Sequence, residues 1–164
     1  MVSAEWSALY AEHAPGLSAF LTKLTGDREV AAELMQETFV RAIRARSEGT
    51  AVRSSRAWLY RIAANLGRDH LRRRALLRFV PFSRSEPGPA GMPDPDTDLV
   101  HHALRAIPAE QATTLLLHYD AGFSRAEIAR MEGISEEGVK SRLARGREHF
   151  IREFERLGGE RHAR

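Results

Sequence analysis

The stretch SRAEIARMEGISEEGVKSRLAR, residues 124–145, decides the fold. Ser124 and Glu127 have the spacing of a capping box and open a short helix to Met131; Ser135 then caps a last helix that runs to about Leu157. Ala129 is small where two such helices approach closest, Gly133 four residues later suits a positive-φ turn, and Val139 six beyond packs the second helix on the first. With Ile128, Ile134 and Leu143 completing a small core, the pattern predicts a helix-turn-helix. The face opposite Val139 and Leu143 presents Glu137, Ser141, Ala144 and Arg145, flanked by Lys140 and Arg142. In a major groove, Arg binds guanine edges or phosphates, Glu accepts from cytosine and Ser reaches either base or phosphate. The competing reading is a solvated polar face, with Glu136 and Glu137 at the positive end of the helix dipole. The concentration of basic residues on this helix, after an acidic stretch, favours the first.

Outward from this segment the chain reads as helix throughout. Leu99 to Ala106 forms one helix with Leu104 and Ile107 inward, and Pro108 fits the first turn of the next, which holds Leu115, Leu116, Leu117 and Tyr119. The last helix carries Val139, Leu143, Phe150, Phe154 and Leu157 on one face. Upstream, five of the seven prolines fall at positions 81, 87, 89, 93 and 95 among glycines and serines, which marks a linker. Before it, Trp6, Leu9, His13, Leu17, Phe20 and Leu24 recur at helical steps to Gly26, with a break or kink expected at Pro15. Asp27 caps a second helix to about Arg44, with Ala31, Met35, Phe39, Ala42 and Ile43 on one face. Residues 46–55 have loop composition. A third helix, from about Arg56 to Arg74, turns Leu59, Ile62, Ala63, Leu66 and His70 inward. No alternating strand pattern of any length competes, so the prediction is all-α: two small helical domains, 1–78 and 99–164, joined by a Pro/Gly-rich acidic linker at 79–98.

Composition narrows the functions. A length of 164 residues allows one large or two small domains, and 43% hydrophobic with 29% charged residues describes a globular chain. Nothing approaches the roughly 20 apolar residues of a membrane helix, and no basic-then-apolar leader opens the sequence, so neither membrane insertion nor secretion is expected. Zero cysteines exclude disulfides, Cys-ligated zinc and a cysteine nucleophile, and fit a reducing cytoplasm. The histidines are scattered and Asp69-His70 has no partners in sequence, so no metal, no cofactor and no catalytic residue is expected. The net charge of +3 divides unevenly: −4 over 1–37, +9 over 38–78, −3 over 79–100, −3 over 101–138 and +4 over 139–164. Of the 25 basic residues only Lys23 and Lys140 are lysine, which suits planar phosphate and base contacts and equally reflects a GC-rich genome.

Two further surfaces stand out. On the third helix Arg61, Asn65, Arg68 and Arg72 fall at steps of four, three and four, opposite Leu59, Ile62 and Leu66, with Trp58 and Tyr60 at the start. An arginine stripe tracks a phosphate backbone, and aromatics with an amide hold unstacked bases; a merely solvated helix face would carry more acid than Asp69 alone. On the second helix, the side opposite the core shows Glu33, Glu37, Arg41 and Arg44 together with Leu34 and Val40. Apolar residues among charges mark a docking site or are ordinary scatter.

The sequence resembles the extracytoplasmic-function sigma factors, the smallest members of the sigma-70 type of bacterial RNA polymerase specificity subunits. AAELMQETFVRA (31–42) resembles the segment that docks on the β′ coiled coil of the polymerase clamp, and RAWLYRIAANLGRD (56–69) the one that melts and reads the minus-ten element. IPAEQ (107–111), GFSRAEIA (122–129) and GISEEGVKSRLARGR (133–147) resemble the domain that reads the minus-thirty-five element. The resemblance implies an alternative sigma factor that directs core polymerase to promoters. It implies that Glu33, Leu34, Gln36, Glu37, Val40 and Arg41 hold polymerase, and that Trp58, Arg61, Asn65, Arg68 and Arg72 handle minus-ten DNA, with Asn65 lining a pocket for a flipped base. Glu137, Lys140, Ser141, Arg142 and Arg145 would contact the minus-thirty-five duplex. Implied partners are the β′ clamp coiled coil and β flap of core polymerase, promoter DNA and an anti-sigma factor. The acidic linker would thread toward the RNA exit path, or simply stay soluble; Leu76 to Val80 would join an anti-sigma interface or pack on its own domain.

This sequence departs from the pattern in two places. The loop at 47–55 lacks the aromatic residue that some relatives carry, and Glu136 and Glu137 put acids where small residues are common. The rival reading is a stand-alone helix-turn-helix repressor or activator, which needs neither the Arg61, Asn65, Arg68 and Arg72 stripe nor the 33–41 patch.

Overall fold

The computed structural model describes residues 3–77 and 95–159, with side chains from 98 onward in the second segment. The elements in order are α1 (Ala4–Thr25), α2 (Arg28–Ser47), α3 (Ser55–Leu77), α4 (Pro95–Ala106), α5 (Ala109–Leu115), a π turn (Leu116–Asp120), α6 (Arg125–Glu132) and α7 (Glu136–Arg156). Among the described residues there is no strand. Most of the expected linker, and the apolar stretch beyond Leu77, lie outside the described residues.

Local chemistry sets the boundaries. Gly26 ends α1 at φ 71°, a conformation a Cβ disfavours, and Asp27 caps α2 by accepting from Glu29 N–H at 2.9 Å and Val30 N–H at 3.2 Å. Ser124 and Glu127 close the expected capping box at 2.9 and 3.1 Å, Gly133 turns the chain at φ 66°, and Ser135 accepts from Gly138 N–H at 3.0 Å.

Four expectations need correction. α1 runs unbroken through Pro15, which lies with Ala11, the residue four before it, on the exposed side of the helix. α4 begins at Pro95 rather than Leu99, and α3 extends three residues past Arg74. The helix after Pro108 opens into a π turn, which leaves Tyr119 60% exposed instead of seated beside Leu117. Ile43, expected in the core, is exposed, while Thr38 takes the buried place and satisfies its hydroxyl on Leu34 O at 2.7 Å.

α1, α2 and α3 pack around Leu17, Phe20, Leu21, Leu24, Phe39, Leu59 and Ala63. α4 to α7 enclose Leu104, Leu117, Ile128, Val139 and Leu143. The two groups share one core. α4 and the π turn rest on α1, while α5 and α6 rest on α3. Tyr60 is the bridge: its ring meets Phe20 at 5.4 Å on one side and Phe123 at 5.2 Å on the other. The fold thus brings the face of α3 that carries the arginine stripe against the second helical group.

Candidate nucleic-acid interface

α3 starts after Ser54, whose hydroxyl accepts from Ala57 N–H at 3.2 Å. Arg61, Asn65 and Arg72 are exposed, but Arg68 is buried, because its guanidinium donates to Asn65 Oδ1 and pairs with Glu132 at the end of α6. Arg72 pairs with Glu110 in the first turn of α5 and lies 3.6 Å from Asp69. The stripe therefore exists, yet two of its three arginines pair with carboxylates of the other helical group, Arg68 buried and Arg72 still half-exposed. Tyr60, read from sequence as part of the stripe, is buried beneath it; burial pushes its phenol above the ordinary range, against the opposing pull of Arg56.

Trp58 is half-buried and lines an open cleft of about 760 Å³ with Val52, Arg53, Arg61 and Arg130, closed on the far side by Phe123, Glu127 and Met131. With Arg56 also on its wall, the cleft has four arginines and an indole around it, which suits a base and its phosphate. His70, read as inward, is half-buried with Nε2 unpartnered among the described residues. Burial lowers its pKa, and Arg74 and Arg73 lower it further.

On α7, Glu137, Lys140, Ser141 and Arg145 are exposed along the outer face, with Lys140 3.6 Å from Glu137. Arg142 is partly covered and reaches 3.6 Å to Glu132. Glu132 thus stands between one arginine of α3 and one of α7; its side chain is 4% exposed and its Oε1 has no hydrogen-bond partner among the described residues.

On α2, Glu33 and Gln36 are exposed, and Arg41 pairs with Glu37 at 2.7 Å. Val40 is 48% exposed, whereas Leu34 is half-buried and packs on the core. Two residues that the sequence reading did not place here belong to this surface. Ile43 lies one turn beyond Val40, and Tyr10 of α1 stands over Phe39 with ring centroids 4.9 Å apart. The three-residue step from Val40 to Ile43 was the available signal. A second apolar hollow, about 560 Å³, lies between α4, the π turn and α7, lined by Val100, Leu104, Leu116, Phe150 and Ile151. Lys23 with Asp120 and Tyr119 with Arg147 form its polar rim. No periodicity in a single helix reveals it, because several elements build it.

Among the described residues no group of three His, Cys, Asp or Glu side chains is placed to hold a metal ion, and no helix is long and apolar enough to cross a membrane.

Comparison with known proteins gives the geometry a family. Residues 9–76 match the family described as Sigma-70 region 2, and residues 97–150 match Sigma-70, region 4. The ECF RNA polymerase sigma factor SigL of Mycobacterium tuberculosis is 38% identical over 144 residues, which cover 83% of this chain and 81% of the relative. The RNA polymerase sigma factor CarQ of Myxococcus xanthus is 32% identical over 146 residues, covering 85% of this chain and 83% of the relative. Among solved structures, CnrH in complex with the cytosolic domain of CnrY aligns with TM-score 0.66 at 25% identity over 89% of this chain and 84% of that one. The sigma factor RpoE in complex with the anti-sigma factor NepR from Bartonella quintana shares the fold, with TM-score 0.70 at 23% identity over 93% of this chain and 98% of that one. With region 2 helices carrying an arginine stripe, region 4 helices forming a helix-turn-helix, and relatives of this identity matched over most of their length, the chain belongs to the extracytoplasmic-function group of the sigma-70 family and is an alternative sigma factor for transcription initiation.

Proposed function

We propose that this sigma factor docks on core RNA polymerase through α2, holds a melted minus-ten strand along α3 and reads the minus-thirty-five duplex with α7. One observation carries the reading: two arginine-bearing helix faces of different geometry occur on the same chain. The α3 face has Trp58 and Arg61 beside an open cleft, with Asn65 one turn beyond Arg61, which suits an unstacked base, while α7 sits in a capped helix-turn-helix, which suits a major groove. Val40, Ile43 and Tyr10, with Glu33, Gln36, Glu37 and Arg41 around them, offer polymerase an apolar centre with a polar rim. Leu34 supports that surface from beneath.

The chemistry is binding alone, with no catalytic residue. Extruding a base costs a few kcal/mol, so a pocket at Trp58, Arg61 and Asn65 that retains it biases the duplex toward the open state without fuel. Lys140, Arg142 and Arg145 position the minus-thirty-five element partly through phosphates, and Glu137 and Ser141 read base edges. Residues 1–78 and 99–164 act as the two functional units, with 79–98 between them. The setting is the cytoplasm, where polymerase is, and an anti-sigma protein is an expected partner, as NepR is for RpoE.

Run-off transcription with and without core polymerase tests the reading. The free protein is expected to bind promoter duplex weakly, yet to direct core enzyme to a defined start. Tight duplex binding without polymerase, combined with no start-site selection in its presence, would establish the stand-alone repressor instead.

A further inference from the structure

The open cleft beside Trp58 brings arginines of different elements toward one another. Arg53, in the loop before α3, and Arg56 and Arg61 of α3 line one side, and Arg130 of α6 lines the other. Arg53, Arg61 and Arg130 have no carboxylate partner among the described residues, whereas Arg41, Arg68, Arg72 and Arg156 each find one. Arg56 is held in place by donating to the Ala121 carbonyl, its guanidinium 4.1 Å from the ring centroid of Phe123. Glu127 is the one carboxylate among the lining residues, and its Oε2 already accepts from the Ser124 N–H at 2.9 Å. Four arginines less one glutamate leave a formal charge of +3 around a space of about 760 Å³. We propose that this cleft is a site for a purine nucleoside diphosphate, with the base against Trp58 and the phosphates among Arg53, Arg61 and Arg130. The site itself does not depend on the assignment of α3 to the minus-ten strand.

The apolar part of the wall, Trp58, Val52 and Met131, accepts a flat base, and an indole face stacks on one. Guanidinium groups bind phosphate oxygens in pairs, and a cleft of one charge sign with apolar walls concentrates anions. The placement of the cations selects the kind of anion. A DNA strand bears its charges in a row, one per nucleotide, and is matched by arginines in a row, as along the α3 stripe. Cations that converge from two walls match several charges on one short group, and a nucleoside diphosphate carries about −3. The volume falls in the range of about 300–1,000 Å³ common to small-molecule sites. A nucleotide held here covers Trp58 and Arg61 and so excludes a DNA strand from the start of α3. That consequence, unlike the site, rests on the minus-ten assignment.

Isothermal titration calorimetry of the full chain without polymerase, at about 0.15 M salt, tests the site with ADP, adenosine and pyrophosphate as probes. ADP is expected to bind about tenfold more tightly than either fragment, since each lacks one set of contacts. In a Trp6→Phe background Trp58 is the one tryptophan left, and ADP is expected to quench its fluorescence. Arg130→Gln, at an exposed position, is expected to weaken ADP about tenfold. Glu127→Gln keeps a residue type that closes a capping box while removing the opposing charge, and is expected to tighten ADP about threefold. Circular dichroism checks that both variants retain their helix content. No ADP binding by the parent chain, or unchanged ADP affinity in both variants, overturns the site. Equal affinity for ADP and pyrophosphate without quenching overturns the place of the base on Trp58. ADP is also expected to displace a labelled DNA single strand from the chain. Binding of both together overturns the exclusion of DNA while the site stands, so the two failures are separable.

Discussion

Arg56 lies 4.1 Å from the ring centroid of Phe123 and 5.2 Å from that of Tyr60, and the two rings meet edge-on at 5.2 Å. This cation–aromatic stack joins region 2 to region 4 just before Ser124, the cap of α6, so the entry to the helix-turn-helix is fixed by a contact from the other domain.

Phe123→Ala should therefore destabilise the whole chain, by about 3 kcal/mol, the low end for loss of a buried phenylalanine. Urea unfolding followed by circular dichroism measures it. A loss below about 1 kcal/mol would mean that the ring is peripheral to stability.

Gly67 sits on α3 where a Cβ would lie 2.4 Å from Leu24 Cδ2 and 3.6 Å from Leu21 Cδ2. In an open helix, alanine would gain roughly 1 kcal/mol over glycine. Leu24 and Leu21 are fully buried and have nowhere to move, so Gly67→Ala is expected to cost 1–3 kcal/mol, as overpacking does. A rise in Tm would show that α1 and α3 separate freely.

Val40 and Leu34 should divide by phenotype. Val40→Glu changes an exposed side chain, so polymerase affinity should fall about tenfold with Tm unchanged, which is the weight of one well-placed apolar contact. Leu34→Glu buries a charge against the core and should lower both. Equal polymerase binding by Val40→Glu and the parent chain would remove α2 from the docking surface.

Acid should weaken the fold partly through two histidines. Burial lowers the pKa of His70, helped by Arg74 and Arg73, and burial lowers that of His101, helped by Arg105. Below an unfolded value of about 6.5 the unfolded chain then binds more protons than the native one, so stability falls as pH drops from about 6.5 through the lower native values. The double variant His70→Gln, His101→Gln should flatten the dependence of the urea midpoint on pH between about 5 and 7. An unchanged slope would assign it to carboxylates.

The helix boundaries were legible because their signals are local: Asp27, Ser124 with Glu127, Gly133 and Ser135 each act within three or four residues. The stripe on α3 was legible for the same reason, as a spacing. What covers it was not. Arg68 and Glu132 are 64 positions apart, and nothing in the periodicity of either helix announces the other. Tyr60 was misread by the same limit: one step from Leu59 on the wheel, it faces a neighbour that the wheel does not contain. Ile43 and Thr38 exchanged places because a buried threonine can satisfy its hydroxyl on its own helix, a possibility that hydrophobic patterning ignores.

α1 runs as one helix through Pro15, from the proposed polymerase surface to the seam with region 4. Tyr10, at the proposed polymerase surface, and Lys23, bonded to Asp120 of region 4, are 13 positions apart on that helix, or about 20 Å at 1.5 Å per residue. A tilt of 5° pivoting at Tyr10 would displace the Lys23 end by roughly 2 Å, enough to break a hydrogen-bonded ion pair. Load on one end of α1 is thereby coupled to the ion pair at the other, and Pro15, where the helix lacks one hydrogen bond, sets how much of it is passed on.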